Sequence, residues 1–333
     1  MRATLACDNI WGGRQLNQKG DIELACRLLK AGELVAFPTE TVYGLGADAS
    51  SEQAISRIYA LKGRPSDHPV IVHLANASDM IHWARDIPPS AWALADAFWP
   101  GPLTLILPRG SRVPLAVTGG QDSVGIRVPA HPVARQLLQT FGGGIAAPSA
   151  NRYGRVSPTC ADHVREEFGP NAPFILDGGD CEVGLESTIV SLAGPPVLLR
   201  PGGISRAQIE SVIGSLAGAS PGNNPRAPGT TESHYAPHTP VRLVAAAVLY
   251  ARINPDAAVL AFGPPLTGHA GPWRVVSTDP VRYGHDLYAL MRLLDHAGAP
   301  EIVIEEPPDE PEWEAARDRL KRSAAAYTGS ELP

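Results

Sequence analysis

Apolar residues recur along this chain at two spacings, one typical of helices and the other of buried strands. Between Asp21 and Gly32 the spacing is helical, and these two residues suit the start and the end of a first helix. Uninterrupted apolar runs at Leu34–Phe37 and Val70–Leu74 predict buried strands. Between them, a capping-box pattern that begins at Ser50 predicts a second helix. This mixture of helices and strands predicts an α/β fold.

The same patterns continue to about residue 213. Further strands are predicted at 103–107, 124–128, 145–147, 174–176, 188–192 and 197–199, and further helices at 131–141, 158–168 and 205–213. Several of these strands follow one another directly along the chain. Direct succession of strands favours a mixed sheet over a purely parallel one.

The chain changes character between Ser215 and Pro240, where Gly, Pro, Asn, Ser and Thr dominate and no periodicity is visible. Such a segment is usually a functional loop or a domain boundary. Strands and helices alternate beyond it, which is typical of a small parallel α/β unit. These strands are predicted near 241–245, 258–262, 274–276 and 302–304, and the helices near 284–296 and 312–326. The predicted organisation is a domain over 15–213, a linker over 214–240 and a second domain over 241–328.

Composition restricts the possible partners of the protein. The sequence holds 33 glycines and 33 prolines among 333 residues, spread along the chain, which predicts many tight loops rather than one disordered tract. The net charge of −6 gives no general attraction to nucleic acid. Stable nucleic-acid binding is therefore not expected, and any RNA contact would come from a local basic patch.

Neither zinc binding nor export is indicated by the cysteines or by the apolar segments. Cys7, Cys26, Cys160 and Cys181 lack a spacing typical of zinc, so reduced thiols are expected. The first nine residues reach a charge too early for a signal peptide. The longest apolar run of the C-terminal part, 243–250, is far shorter than a membrane span. We therefore expect a cytoplasmic protein without a membrane segment.

A polar stretch at Phe37–Gly46 follows the second predicted element directly. It carries two threonines, a glutamate and a Gly-x-Gly pair, and an α/β protein commonly offers a binding crevice at such a strand end. Residues Gly44–Ala49 also fit a dinucleotide fingerprint. Six residues separate the strand from these glycines, and the next helix begins only near Ser51, so we reject that interpretation. The two glycines are expected to let the backbone turn or approach a ligand closely, and so to shape a pocket.

Cations and hydroxyls lie at several other predicted strand and helix ends. Lys62 and Arg64 at a helix exit suit either a polyphosphate or the helix dipole, and these residues alone favour neither. Arg127 and Arg200 stand among apolar strand residues, where a cation needs an internal or a ligand anion. Because no metal cluster and no activated nucleophile are visible, the inventory favours catalysis by positioning and electrostatics.

These motifs together resemble one known family, the YrdC-like L-threonylcarbamoyladenylate synthases. The matching segments, in chain order, are Pro38–Gly46, Lys62-Gly63-Arg64, Val70–His73, Trp99–Thr104, Val124–Pro129, Ala147–Asn151, Glu186-Ser187-Thr188 and Leu199–Gly202. The resemblance covers about 15–210, and His234-Tyr235-Ala236-Pro237 looks like the linker of the family's longer form. It implies a YrdC-like twisted mixed sheet with helices, followed by a smaller, Rossmann-like parallel α/β/α domain.

The family makes threonylcarbamoyl-AMP from L-threonine, bicarbonate and ATP, with release of pyrophosphate, and Mg²⁺ accompanies the ATP. Partner proteins then transfer the threonylcarbamoyl group to tRNA. By resemblance, Lys62 and Arg64 are the catalytic cations. The positions that match the L-threonine site are Thr39, His73, Arg127, Ala147 and Ser187. The positions that match the ATP site are Lys62, Ser66, Ser123, Ser149, Asn151, Ser157, Arg200, His234 and Tyr235.

Some questions remain open in the sequence. Glu40 either orients the substrate amine or holds a neighbouring side chain. The linker is either a lid that excludes water or a passive tether. The stretch Pro307–Trp313 departs from the glycine-rich turn common in the family, so the role of the second domain is not predicted. The alternative functions are an RNA-binding module, with Lys62, Arg64, Arg152 and Arg155 as its basic patch, and a carbamoyl transferase of the hydrogenase-maturation type.

Overall fold

A computed structural model describes residues 18–218, 224–231, 233–251 and 253–327. The expectations for Cys7 and for the first nine residues lie outside this part of the chain, as do the outer limits predicted for the two domains. The predicted domain boundaries stay a prediction. In the described residues, one large sheet ends at Arg200 and a second sheet begins at Val241.

The first sheet has nine strands and carries both parallel and antiparallel neighbours, which confirms the predicted mixed sheet. Its strands are β1 Val35–Phe37, β2 Gly44–Asp48, β3 Ile71–His73, β4 Leu103–Pro108, β5 Ser123–Arg127, β6 Ile145–Ala146, β7 Phe174–Ile175, β8 Thr188–Ser191 and β9 Val197–Arg200. Their spatial order is β7-β1-β2-β6-β3-β5-β4-β8-β9. Parallel pairing of β3 with β5 sets His73 beside Arg127, and antiparallel pairing of β8 with β9 sets Ile189 beside Arg200.

Helices cover this sheet and bury its apolar side chains. They are α1 Gln18–Lys30, α2 Glu52–Lys62, α3 Pro89–Phe98, α4 Leu115–Thr118, α5 Pro132–Phe141, α6 Ala161–Phe168 and α7 Arg206–Ile213. Short 3₁₀ turns lie at Ala77–His82 and Gly169–Asn171. The apolar residues that define the helical spacing, such as Ile55 and Ile58 of α2, are fully buried in the core.

Several predicted helix starts differ from the observed ones, and those of α1 and α2 differ by three residues and by one. Helix α1 begins at Gln18, so Asp21 lies in its first turn, where a carboxylate favours the positive end of the dipole. Helix α2 is capped by Ser51, whose hydroxyl accepts a hydrogen bond from the amide of Ala54. Ser50 instead donates its hydroxyl to the Asp48 carboxylate in the preceding turn. The two adjacent serines compete for the same role, and a sequence pattern does not distinguish them.

The Gly-x-Gly segment is a strand and not a turn, and Gly44 lines the cavity described below. Residues Gly44–Asp48 form β2 and pair antiparallel with β1. A Cβ on Gly46 would lie 2.8 Å from the Phe37 ring, so the missing side chain makes room for that ring. Glycine here serves close packing across a hairpin and not a positive φ angle. The hairpin brings the polar turn after Phe37 to one end of the sheet.

The second sheet contains four strands that are all parallel, as the predicted Rossmann-like domain requires. Its strands are β10 Val241–Val244, β11 Ala258–Ala261, β12 Trp273–Val275 and β13 Ile302–Glu305, in the order β10-β13-β11-β12. The helices are α8 Ala246–Leu249, α9 Pro280–Asp295 and α10 Glu314–Ala325, with a 3₁₀ turn at Pro311–Trp313 before α10.

The two domains share a buried apolar cluster. Val42, Val156 and Leu185 of the larger domain pack in one cluster with Leu287 of α9 and Leu320 of α10. A continuous buried cluster of this kind opposes independent motion of two domains. The part of the chain that the structure describes contains no helix long and apolar enough to cross a membrane.

Candidate active site

A cavity of about 50 Å³ lies at the end of the large sheet, where the polar strand ends converge. Its walls are formed by Thr39, Thr41, Val42, Gly44, Arg64, Ile71, His73, Arg127, Ala147, Pro148, Ser149, Glu186, Ser187, Arg200, Pro228, Gly229, His234 and Tyr235. Ten of the residues predicted for the site are in this set. The topology explains the convergence, because β3, β5, β6, β8 and β9 all contribute an end to the same region.

A hydroxyl turn forms the first side of the cavity, directly after β1. The Thr39 hydroxyl accepts hydrogen bonds from the amides of Thr41 and Val42, both at 3.2 Å. The Thr41 hydroxyl accepts a hydrogen bond of 2.9 Å from Arg127 Nη1. Local side-chain bonds of this kind fix a turn without continuing the strand. The turn therefore presents its hydroxyls and Arg127 as one unit.

Arg127 finds its buried anionic partner inside the protein. Its Nη2 lies 2.7 Å from Oε1 of Glu40, and both side chains are buried. The second oxygen of Glu40 accepts a hydrogen bond of 3.0 Å from the amide of Ala130. Glu40 therefore holds a neighbouring side chain, the second of the two roles left open. The Nη1–Thr41 and Nη2–Glu40 contacts leave further N–H groups on Arg127 for a ligand.

His73 is a neutral group on the floor of the cavity. Burial, reinforced by the charge of Arg127, lowers the pKa of His73 to about 3. Its ring meets Phe37 edge to face, with 6.1 Å between the ring centroids. Nδ1 is buried without a hydrogen-bond partner among the described residues. A neutral imidazole in this position can hydrogen-bond a ligand without adding charge.

Two further arginines, Arg64 and Arg200, line the cavity. Arg64 follows α2, and its Nη2 donates to the carbonyl of Pro69 at 2.9 Å. Arg200 ends β9 and donates from Nε and Nη2 to the carbonyl of Ser187, at 3.1 and 2.9 Å. In these contacts both guanidinium groups donate to carbonyl oxygens and not to carboxylates. These contacts therefore do not neutralise their positive charge. Fixed cations on one wall suit a polyanionic ligand.

Lys62 lies behind the wall and not on it. Its ammonium donates to the carbonyl oxygens of Ser149, at 2.6 Å, and Asn151. Burial, together with the nearby Arg64, lowers the pKa of Lys62 well below its ordinary value. The lysine therefore ties α2 to the 149–151 loop and places its amino group close to Ser149, which does line the cavity.

The linker closes the remaining side through two short segments. Pro228 accepts a hydrogen bond of 2.9 Å from Arg200 Nη1, and Gly229 follows at φ +72°. Tyr235 has a φ of 61°, which is rare for a residue with a side chain. Its hydroxyl and Nδ1 of His234 are buried without hydrogen-bond partners in the described chain. Unpaired buried polar atoms on the wall of a cavity point to a ligand.

Four other predicted residues do not reach the wall of the cavity. Ser66 is exposed in the turn after α2, and Ser123 begins β5 away from the cavity. Asn151 donates both amide contacts to the carbonyls of Arg152 and Arg155, so it organises its own loop. The Ser157 hydroxyl donates to Glu186 at 2.5 Å.

Sequence reasoning missed two polar side chains of the wall and two wall residues contributed by the linker. They are Thr41, Glu186, Pro228 and Gly229. Thr41 lies two residues after the predicted Thr39, and Glu186 directly precedes the predicted Ser187, so these positions are a usable signal. The linker pair carries no such signal, since a proline and a glycine are common in any loop.

Glu186 is the single carboxylate on the wall among the described residues. Burial would raise its pKa, but Arg319 and Arg200 lower the pKa to about 2, so the group is ionised. Within the described residues, no group of three His, Cys, Asp or Glu side chains lies close enough to hold a metal ion.

Comparison with known families matches nearly the whole described chain. Residues 27–202 match the Sua5/YciO/YrdC family, described as "Telomere recombination". Residues 204–325 match the family described as "Threonylcarbamoyl-AMP synthase, C-terminal domain". The first match spans more than half of the sequence, and the second covers α7, the linker and the second sheet.

Individual relatives agree with the family matches. The threonylcarbamoyl-AMP synthase of Pyrococcus abyssi is 47% identical over 238 residues, which is 69% of this chain and 70% of the relative. The Bacillus subtilis threonylcarbamoyl-AMP synthase is 48% identical over 228 residues, 67% of this chain and 66% of the relative. The crystal structure of P. abyssi Sua5 complexed with L-threonine superimposes with a TM-score of 0.84 at 38% identity, covering 94% of this chain and 96% of that one. The chain therefore belongs to the Sua5/YrdC family, as a threonylcarbamoyl-AMP synthase of the two-domain form.

Proposed function

We propose that this cavity joins L-threonine, bicarbonate and ATP into threonylcarbamoyl-AMP. The threonine amine condenses with bicarbonate to a carbamate, with loss of water. A carbamate oxygen then attacks the α-phosphorus of ATP, and pyrophosphate leaves. The observation that carries this proposal is one cavity lined both by Arg127 with neighbouring hydroxyls and by Arg64 and Arg200. The bound L-threonine of the P. abyssi structure supports it.

The side around Arg127 suits the amino acid. The free N–H groups of Arg127 can hydrogen-bond the threonine carboxylate, and Glu40 fixes the guanidinium for that contact. Thr39, His73, Ala147 and Ser187 complete this side of the wall. Neutral His73 avoids competing with Arg127 for the carboxylate. This arrangement orients the amine toward the rest of the cavity, where the carbamate forms.

The side around Arg64 and Arg200 suits the phosphates. Both cations are fixed before the reaction, so they stabilise negative charge at the phosphates without rearrangement. Lys62 adds a hydrogen-bond donor behind Ser149, and a bound phosphate would favour its protonated form there. Mg²⁺ is proposed to enter as part of the MgATP substrate. The two nearest carboxylates, Glu40 and Glu186, are already paired with arginines.

The linker is proposed to act as a lid. The linker lines the cavity and is hydrogen-bonded to Arg200 through the Pro228 carbonyl, so its movement would open or close this part of the wall. Pro228, Gly229, His234 and Tyr235 form the wall contributed by the linker. Closure over the substrates would exclude water from the carbamate and the mixed anhydride, which both hydrolyse. A passive tether would not be expected to contribute residues to the wall of the cavity.

Replacing Gly229 with alanine tests the lid. A Cβ there would lie 2.0 Å from the Tyr235 hydroxyl and 3.0 Å from Arg200 Nη1, at a φ that favours glycine. Strain of about 1–3 kcal/mol in the closed state is expected to lower kcat/KM for ATP by about tenfold or more. Gly218→Ala, in the same linker but with open space around it, is the control. Equal activity of the two variants would contradict the lid.

Release of pyrophosphate tests the function itself. The enzyme is expected to release pyrophosphate only when L-threonine, bicarbonate and ATP are all present. An RNA-binding module would release none, and its RNA affinity would fall steeply with salt. A carbamoyl transferase would turn over with carbamoyl phosphate and ATP in the absence of threonine. The product is proposed to pass to transferase proteins that modify tRNA, the partner class that the resemblance to the family implies.

A further inference from the structure

Arg319 is a fully buried arginine of the C-terminal domain that reaches the wall of the cavity. It lies on α10, and its Nε donates to Oε2 of Glu186 at 2.8 Å. Nη2 donates to the carbonyl of Pro201 at 3.0 Å, directly after Arg200. Its guanidinium also lies over the Tyr235 ring, 5.2 Å from the centroid. One side chain of the second domain thus contacts the catalytic domain at two points and the linker at a third.

Glu186 receives most of its hydrogen bonds from the C-terminal domain. Oε2 accepts from Arg319 and, at 2.9 Å, from the hydroxyl of Tyr288 on α9. Oε1 accepts from Ser157 of the catalytic domain. Because Glu186 precedes Ser187 on the wall, its position sets the backbone to which Arg200 also binds. Both domains therefore determine where this part of the wall lies.

Helix α10, which carries Arg319, also hydrogen-bonds the linker. The carbonyl of Arg322 accepts a hydrogen bond of 3.2 Å from the amide of His234, and Arg322 Nη1 donates to the carbonyl of Thr231 at 2.5 Å. Tyr288 stacks on Tyr235, with 5.8 Å between the centroids and 25° between the planes. A left-handed φ such as that of Tyr235 persists only where its surroundings hold it. These contacts of α9 and α10 supply that hold.

We propose that Arg319 is a positioning residue for the reaction, acting through Glu186, the Pro201 carbonyl and the Tyr235 ring. It holds the nucleotide side of the cavity and the closed linker in register, so the C-terminal domain completes the active site of the other domain. This inference rests on the function proposed above for the cavity. The competing explanation is a buried ion pair that stabilises the domain interface without affecting the reaction.

Three variants and a control separate these explanations. Arg319→Lys keeps the charge but loses the planar fork, Arg319→Met removes the charge, and Tyr288→Phe removes one hydroxyl from a buried ring. Lys321→Met, an exposed cation on the same helix, is the control. Each variant is assayed for kcat and for KM of ATP, and for Kd of L-threonine alone. Limited trypsin cleavage after Arg226 reports release of the linker independently of activity.

Positioning predicts that Arg319→Lys lowers kcat/KM for ATP at least tenfold and that Tyr288→Phe lowers it by a smaller factor. The Kd for L-threonine should change by less than threefold, because Arg127 is held by Glu40 and Thr41, and of the residues proposed for L-threonine only Ser187 adjoins Glu186. Trypsin should cleave after Arg226 faster in both variants than in Lys321→Met. Should Arg319→Met not fold, Arg319→Lys and Tyr288→Phe still give the result.

A folded Arg319→Lys or Tyr288→Phe variant with wild-type kcat, KM for ATP and trypsin resistance would overturn the proposal. A lower melting temperature with those three values unchanged would also overturn it, in favour of the interface explanation. The wild-type enzyme serves as the separate check on the proposed function. If it releases no pyrophosphate with all three substrates, the function of the cavity fails first, whatever the variants do.

Discussion

Lys62→Ala is expected to lower pyrophosphate release by at least about 100-fold, which is the size of effect typical of losing one preorganised electrostatic group. The variant loses a buried cation next to the proposed phosphate site. It also leaves the carbonyls of Ser149 and Asn151 without their ammonium donor, which loosens the loop that lines the cavity. A pyrophosphate assay under saturating substrates measures the loss of turnover.

The matched control is Lys30→Ala, which removes an exposed lysine from the last turn of α1. It should leave turnover unchanged. Circular dichroism and thermal unfolding should show that Lys62→Ala keeps the fold, because α2 retains its apolar stripe and its Ser51 cap. A folded Lys62→Ala enzyme with more than half of wild-type turnover would remove this lysine from the mechanism.

Arg127→Met is expected to abolish binding of L-threonine and to destabilise the protein. The variant loses the cation proposed to bind the substrate carboxylate, and it leaves Glu40 buried and unpaired. Removing one partner of a buried ion pair lowers the free energy of unfolding by about 3–5 kcal/mol. Calorimetric titration with L-threonine and denaturant unfolding measure the two effects separately.

The double variant Glu40→Gln with Arg127→Met separates those effects further. It removes both charges, so most of the lost stability should return, whereas threonine binding should stay absent. If Arg127→Met binds L-threonine with the wild-type Kd, Arg127 is only a structural partner of Glu40. If the double variant recovers no stability, the Glu40 charge is not the cause of the loss.

The fold was predictable because local pattern and final structure agree along most of the chain. Apolar runs such as Val70–Leu74 became central strands, and stripes such as Ile55 with Ile58 became buried helix faces. The strand Gly44–Asp48 was not predicted from the sequence, because glycine is depleted in strands. Its strand character comes from a partner strand and from the space that the Phe37 ring requires.

The candidate site was predictable where its residues lie at strand ends, and less so where they depend on contacts across long stretches of chain. Arg127 and Arg200 were identifiable from the sequence, because each is a cation among apolar strand residues. Lys62 was correctly placed in the region, yet its position behind the wall follows from bonds to a loop almost 90 residues away. The pairing of Glu186 with Arg319 joins residues 133 positions apart in two domains, so no local sequence pattern predicts it.

The central claim is that this cavity builds threonylcarbamoyl-AMP, and direct detection of that product tests it. The enzyme is incubated with MgATP, L-threonine and ¹³C-bicarbonate, and the adenylates are resolved by mass spectrometry. The account predicts an adenylate that contains threonine and one ¹³C atom, formed in step with pyrophosphate. Formation of ADP or AMP without incorporation of threonine and label would contradict it.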